Sequence, residues 1–419
     1  MRPAYLNNNT ISCIVLAAIL LTSSSSNNKA SASDAPTQRP LKVFILAGQS
    51  NMQGHARVET FNAMRLNANA APLLKDITNP DGTPVVCKNV WISSIGSADK
   101  EQTGQLTANF GADARGPKIG PEFTFGIYAE KQLQEPILII KTAWGGKSLH
   151  TDFRPPSSEP YTFNEQQLAN FKKQNKNVQE IEAQKKEATG HYYRLMIEHV
   201  NNVLSDIKRV YPNYDASQGY ELAGFVWFQG WNDMVDGGTY PQRDQQGGYD
   251  QYKTLMAQFI RDVRHDLSSP GLPFVIGVMG VGGPTALYGP DQQRYKSTHQ
   301  NFRDAMAYPT SLPEFKGNVA AVLTENFWDM EVVRLRDIEK AIKPQVKEIQ
   351  EAIKSGKLAK EAGENSIEEL YSKTFSKTEL EVLRESTSNF DFHYMGSAGI
   401  MAQIGKSFAD AIVPMIKKP

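Results

Sequence analysis

The sequence predicts an α/β protein: a mostly parallel sheet covered by helices. Three observations carry that expectation. Apolar, β-branched runs recur at Val43–Ala47, Val85–Ile92, Pro136–Lys141, Gly224–Phe228, Phe274–Met279 and Val319–Leu323. The first, Val43–Ala47, is unbroken rather than alternating, as a strand buried on both faces is. Helical patterns lie between most of them, the alternation that produces parallel sheets. Finally, 419 residues with a hydrophobic fraction of 40% can bury the core such a sheet needs.

The amino terminus stands apart. Arg2 precedes an apolar run from Ile11 to Leu21, then a Ser/Asn-rich stretch and Ala30-Ser31-Ala32. This is the pattern of a secretory signal peptide, too short to span a membrane. We therefore expect a leader over 1–32, a linker over 33–40 and one domain over 41–419, secreted or periplasmic. Without the leader only Cys87 remains, so no disulfide framework is expected. Forty-five basic and 45 acidic residues cancel, so no net field attracts nucleic acid or an anionic membrane.

Within the domain, Pro121-Glu122 opens a helix, with proline in its first turn and an acid at its positive end. His191–Tyr211, Tyr249–Leu267 and Gly396–Ile416 read as further helices. Two stretches read as insertions. Pro155–Thr189 (about 155–189) turns from a Pro/Ser loop into a Gln/Asn/Lys/Glu-rich segment. Met330–Ser388 (about 330–388) is charged and interrupted at Pro344 and Gly356. Its charges read as a solvated helix face, or as a lid beside the site.

Four polar stretches follow the apolar runs or precede the last helix. They are Gly48-Gln49-Ser50-Asn51, Trp144-Gly145-Gly146-Lys147-Ser148, Trp227-Phe228-Gln229-Gly230-Trp231-Asn232-Asp233 and Phe390-Asp391-Phe392-His393-Tyr394. Parallel strands bring their carboxyl ends to one edge, where ligands of open α/β sheets bind. Serine, glycine, asparagine and histidine can therefore meet there. Acyl transfer needs that set: a hydroxyl, a base to activate it, a group to orient the base, and donors for the oxyanion. Neither a phosphate-binding loop, a dinucleotide fingerprint, a G-x-S-x-G elbow nor H-E-x-x-H is present.

In this order the four stretches resemble the blocks of the SGNH (GDSL-like) hydrolase superfamily. The wording Ala-Gly-Gln-Ser-Asn-Met, Trp-Gly-Gly and Trp-Phe-Gln-Gly is similar to its carbohydrate-acetylesterase, sialate O-acetylesterase-like branch. The resemblance implies a flavodoxin-like three-layer α/β/α sandwich. It implies Ser50 as nucleophile, His393 as base and Asp391, or a backbone carbonyl, as the group orienting His393. The oxyanion donors would be Ser50, Gly146 (or Gly145) and Asn232. Gln49, Gln229 and Trp231 are expected to face substrate, Trp231 as a sugar-stacking ring. Two features depart from the family pattern: Asp391 stands two residues before the histidine rather than three, and Trp231-Asn232 replaces Glu-Ser. The implied activity is removal of acetyl groups from a carbohydrate through an acyl-enzyme, with no metal or other cofactor. The alternatives are a lipid or aryl esterase, and a catalytically silent carbohydrate-binding protein.

Overall fold

The computed structural model describes residues 39–112 and 116–416; the expected leader and most of the linker lie outside the described residues. In chain order the strands are β1 (Leu41–Gly48), β2 (Ala56–Arg57), β3 (Val90–Gly96), β4 (Gln102–Gln105), β5 (Lys118–Ile119), β6 (Ile137–Ala143), β7 (Tyr220–Phe228), β8 (Phe274–Val278) and β9 (Val319–Leu323). Seven form one sheet in the order β4-β3-β6-β1-β7-β8-β9, while β2 and β5 make a separate ribbon. Every pairing in the large sheet is parallel except β3 with β4. β1, buried at all its positions, lies at the centre.

Helices cover both faces. Phe125 of the helix Glu122–Leu133 meets the edge of Phe44 in β1 at 5.2 Å between centroids, and Phe408 of the helix Ala398–Ile412 meets Phe228 at 5.5 Å. On the opposite face Phe259 of the helix Asp250–Asp266 packs on Trp227 at 4.4 Å and on Phe225 at 6.0 Å. Phe228 and its neighbour Trp227 thus serve opposite layers, as the pleat requires. Full burial of each such ring contributes about 1.5–3 kcal/mol.

Three elements differ from expectation. The run at Val85–Ile92 enters the sheet only from Val90, because Val85 and Cys87 donate their N–H groups to Ile77 and Leu106 instead. The antiparallel edge β4 is Gln-Thr-Gly-Gln, which carries no apolar signal. The charged Met330–Ser388 segment forms helices Met330–Lys354, Lys360–Thr374 and Lys377–Glu385; the first runs through Pro344, and the break comes only at Gly356. Pro344 is solvent-exposed, so its missing donor is lost on a face already open to water. Pro155–Thr189 contains two short helices, Glu165–Lys173 and Val178–Ala188, each started by an asparagine that accepts a backbone N–H. Among the described residues no helix is long and apolar enough to cross a membrane.

Candidate active site

Register brings the first three polar stretches together. Gly48, the last residue of β1, stands opposite Ala143 of β6 and Phe228 of β7, so the three loops leave the sheet side by side. The approach is close: a Cβ on Gly48 would lie 2.1 Å from the Phe228 carbonyl oxygen. Ser50 then opens a single helical turn, Ser50–Gln53. That turn is held from beneath by Lys141, 1% exposed, whose Nζ donates to the Gln53 carbonyl at 2.9 Å and to Glu122 at 2.8 Å. Burial pushes the Lys141 ammonium down, and the Glu122 carboxylate opposes the shift.

Asn232 follows β7. Gln49 donates to its Oδ1 at 3.0 Å and accepts from the Gly230 N–H at 2.9 Å, which leaves the Asn232 Nδ2 as the group free to donate outward. Gln49 and Gln229 do not face substrate, contrary to expectation: they are 1% and 0% exposed. Gln229 donates to the Lys147 carbonyl at 3.0 Å and to Asp233 at 2.6 Å. Asp233 also accepts the N–H groups of Leu149 and His150, so these side chains tie the Trp144 loop to the Asn232 turn. Burial pushes the Asp233 carboxyl up in spite of those donors. The two glycines of the Trp144 loop also separate. The Gly145 N–H is spent on Ser97 Oγ at 3.0 Å, whereas Gly146, at φ 73°, carries no such bond.

The histidine arrives on a strained turn, Asp391–Gly396, in which Tyr394 and Met395 hold φ of 52° and 59°. The buried Tyr394 anchors it: its hydroxyl accepts the Gly280 N–H at 2.8 Å and lies 2.5 Å from Thr324 Oγ1. The contact expected of Asp391 is not made. Its carboxylate is exposed and pairs with Arg336 at 2.6 Å. The His393 Nδ1 instead lies 3.1 Å from Asn389 Oδ1, an oxygen that also accepts the Phe390 N–H at 2.8 Å. The turn folds back on itself through Phe390, and this puts position 389 rather than 391 beside the ring. An amide oxygen only accepts, so the Nδ1–H tautomer is selected and Nε2 is left as the basic atom.

Ser50, Gly146, Asn232 and His393 all line one open cavity of about 590 Å³, with Trp231 and Phe392 in its wall at 5.8 Å between centroids. A larger cavity, about 1200 Å³, lies under the 155–189 segment and is lined by none of the four. Size alone would favour the larger one; the convergent polar groups favour the smaller. Burial pushes the His393 imidazole down to about 4, so the ring is neutral in neutral solution. One further residue was not singled out from the sequence: His55, whose ring stacks on His393 at 3.8 Å with 1° between planes. Asn389 was missed too; only its place four residues before the histidine could have pointed to it.

The family model for SASA, described as a carbohydrate esterase, sialic acid-specific acetylesterase, matches residues 40–308. This takes in the Ser50, Gly146 and Asn232 stretches; His393 lies beyond it. No curated protein matches the chain. Among solved structures, it is similar to a protein from Arabidopsis thaliana at 17% identity and a TM-score of 0.37, covering 68% of this chain and 86% of that one. It is also similar to a carbohydrate acetylesterase from Xanthomonas citri at 15% identity and a TM-score of 0.36, covering 67% of this chain and 49% of that one, so it spans about half that relative's length. The family match covers more than half of the chain's length, and the protein therefore belongs to this family of carbohydrate esterases.

Proposed function

We propose that the protein removes O-acetyl groups from carbohydrates through an acetyl-serine intermediate, outside the cytoplasm. The observation that carries the reading is the shared cavity of Ser50, Gly146, Asn232 and His393. In the proposed route, His393 Nε2 takes the Ser50 proton as Oγ attacks the acetyl carbonyl. The tetrahedral oxyanion accepts from the Ser50 and Gly146 N–H groups and the Asn232 amide. Collapse breaks the bond to the sugar oxygen, which leaves with the proton from Nε2. Water, deprotonated by Nε2, then attacks the acetyl-serine; acetate departs and the hydroxyl is restored. An acetyl group offers little to grip, so recognition falls to the wall, where Trp231 presents a ring to the sugar. Export is supported by the leader pattern of the first 32 residues.

The test is acetate release from acetylated xylan, acetylated sialic acid and acetylated pectin by the wild type and by Ser50→Ala. The wild type is expected to act on at least one of them. Ser50→Ala is expected to lose at least roughly a thousandfold while keeping its circular dichroism spectrum. Turnover by Ser50→Ala near the wild-type rate would overturn the proposal.

A further inference from the structure

We infer that His55 is a positioning residue of the esterase site: its ring face braces the His393 imidazole and stabilises the imidazolium that forms there during proton transfer. The inference rests on the Ser50–His393 reading above.

Geometry comes first. The two rings are parallel to within 1° and 3.8 Å apart, a full face-to-face stack, and both line the cavity that holds Ser50. The turn that presents the serine also presents this ring. Gly54, with φ 91°, sits so close to Gly120 that a Cβ would lie 2.2 Å from the Gly120 Cα. The chain leaving the Ser50–Gln53 turn is thus pinned, and His55 follows directly.

Chemistry comes second. A histidine kept only for structure has its buried ring nitrogens bonded. The His55 Nε2 is buried and has no hydrogen-bond partner, so what the ring offers is its face. The need for a face is also visible. In a Ser-His-Asp site a carboxylate balances the imidazolium. Here the Nδ1 of His393 meets a neutral amide, and Asp391 is occupied by Arg336.

Electrostatics comes third. Burial brings His55 down to about 3, and the charge of a protonated His393, of Lys118 of β5 and of Lys141 of β6 adds to the effect. The Phe392 ring stands edge-on to His393 at 4.5 Å, and Asp391, two residues before it, is paired with Arg336. Two imidazoles this close cannot both ionise. An imidazolium at His55 would bury its Nε2–H without an acceptor, whereas His393 Nδ1 already faces Asn389 Oδ1, so the proton taken from serine resides on His393 against a neutral π face.

Three substitutions separate the parts of this role, read as kcat, KM and the pH profile of kcat/KM for an aryl acetate. His55→Phe keeps both face and cover and is expected to stay within about threefold of wild type, with the acid limb in place. His55→Leu keeps the cover without the face and is expected to lose about tenfold in kcat at unchanged KM, with its acid limb moved to lower pH because the imidazolium has lost its support. His55→Ala removes both, so water reaching His393 should place its acid limb at higher pH than that of His55→Leu. Equal kcat for the Leu and Phe variants would overturn the inference, and that pair decides even where His55→Ala does not fold. Ser50→Ala, run alongside, keeps the two claims apart. Turnover by it overturns the serine reading itself, whereas an inactive Ser50→Ala beside equal Leu and Phe variants overturns only the role of His55.

Discussion

At the scale of single residues, the orientation of the His393 ring depends on an amide and not on a carboxylate. Asn389 Oδ1 is itself fixed by the Phe390 N–H, so it holds His393 Nδ1 in one tautomer. Asn389→Ala is therefore expected to lower kcat for an aryl acetate by roughly ten- to a hundredfold, while Asp391→Asn changes it by less than about threefold. Steady-state kinetics of the two variants checks this, and the reverse ranking would return the orienting role to Asp391. The sequence offered Asp391 because spacing to a histidine is readable, whereas the backfolding of a turn with two left-handed residues is not. Gln49 and Gln229 misled for a related reason. A polar residue at a strand end reads the same whether it faces the cavity or, as here, supports a neighbour from behind.

At the scale of elements, the histidine turn stores strain that its neighbours must offset. Two successive non-glycine residues in the left-handed region cost together roughly 2–4 kcal/mol. Tyr394 offsets this by burying its ring between Phe228 and Trp328 and by accepting the Gly280 N–H. Tyr394→Phe keeps the ring but orphans that buried donor, so denaturant unfolding should show a loss of about 1–3 kcal/mol. No measurable loss would mean that ring packing alone holds the turn. The central strands were legible because parallel strands buried on both faces must be continuously apolar, as Val43–Ala47 and Gly224–Phe228 are. The edge strand Gln102–Gln105 was not, since an edge needs backbone pairing rather than apolar side chains. Pro344 misled as a breaker because an exposed helix face tolerates a missing donor.

At the scale of the molecule, burial keeps three histidines neutral: His55 at about 3, and His299 and His393 at about 4. An unfolded chain would hold them near 6.5. Below that value the unfolded state binds protons the folded state refuses, so stability is fully present above about pH 6.5 and falls as the pH drops toward 4. Urea midpoints should accordingly decrease between about pH 7 and pH 5, above the range where most carboxylates titrate; equal midpoints would show the histidines to be solvated. Convergence of residues far apart in sequence was legible only through the parallel sheet, which gathers strand ends at one edge. The account as a whole depends on that edge being reactive. Its most direct test is the mass of peptides from enzyme mixed briefly with an aryl acetate and quenched in acid. Acetyl on the peptide bearing Ser50, in the wild type and absent from Ser50→Ala, is the predicted result; hydrolysis with no adduct there, or an adduct elsewhere that persists in Ser50→Ala, would contradict it.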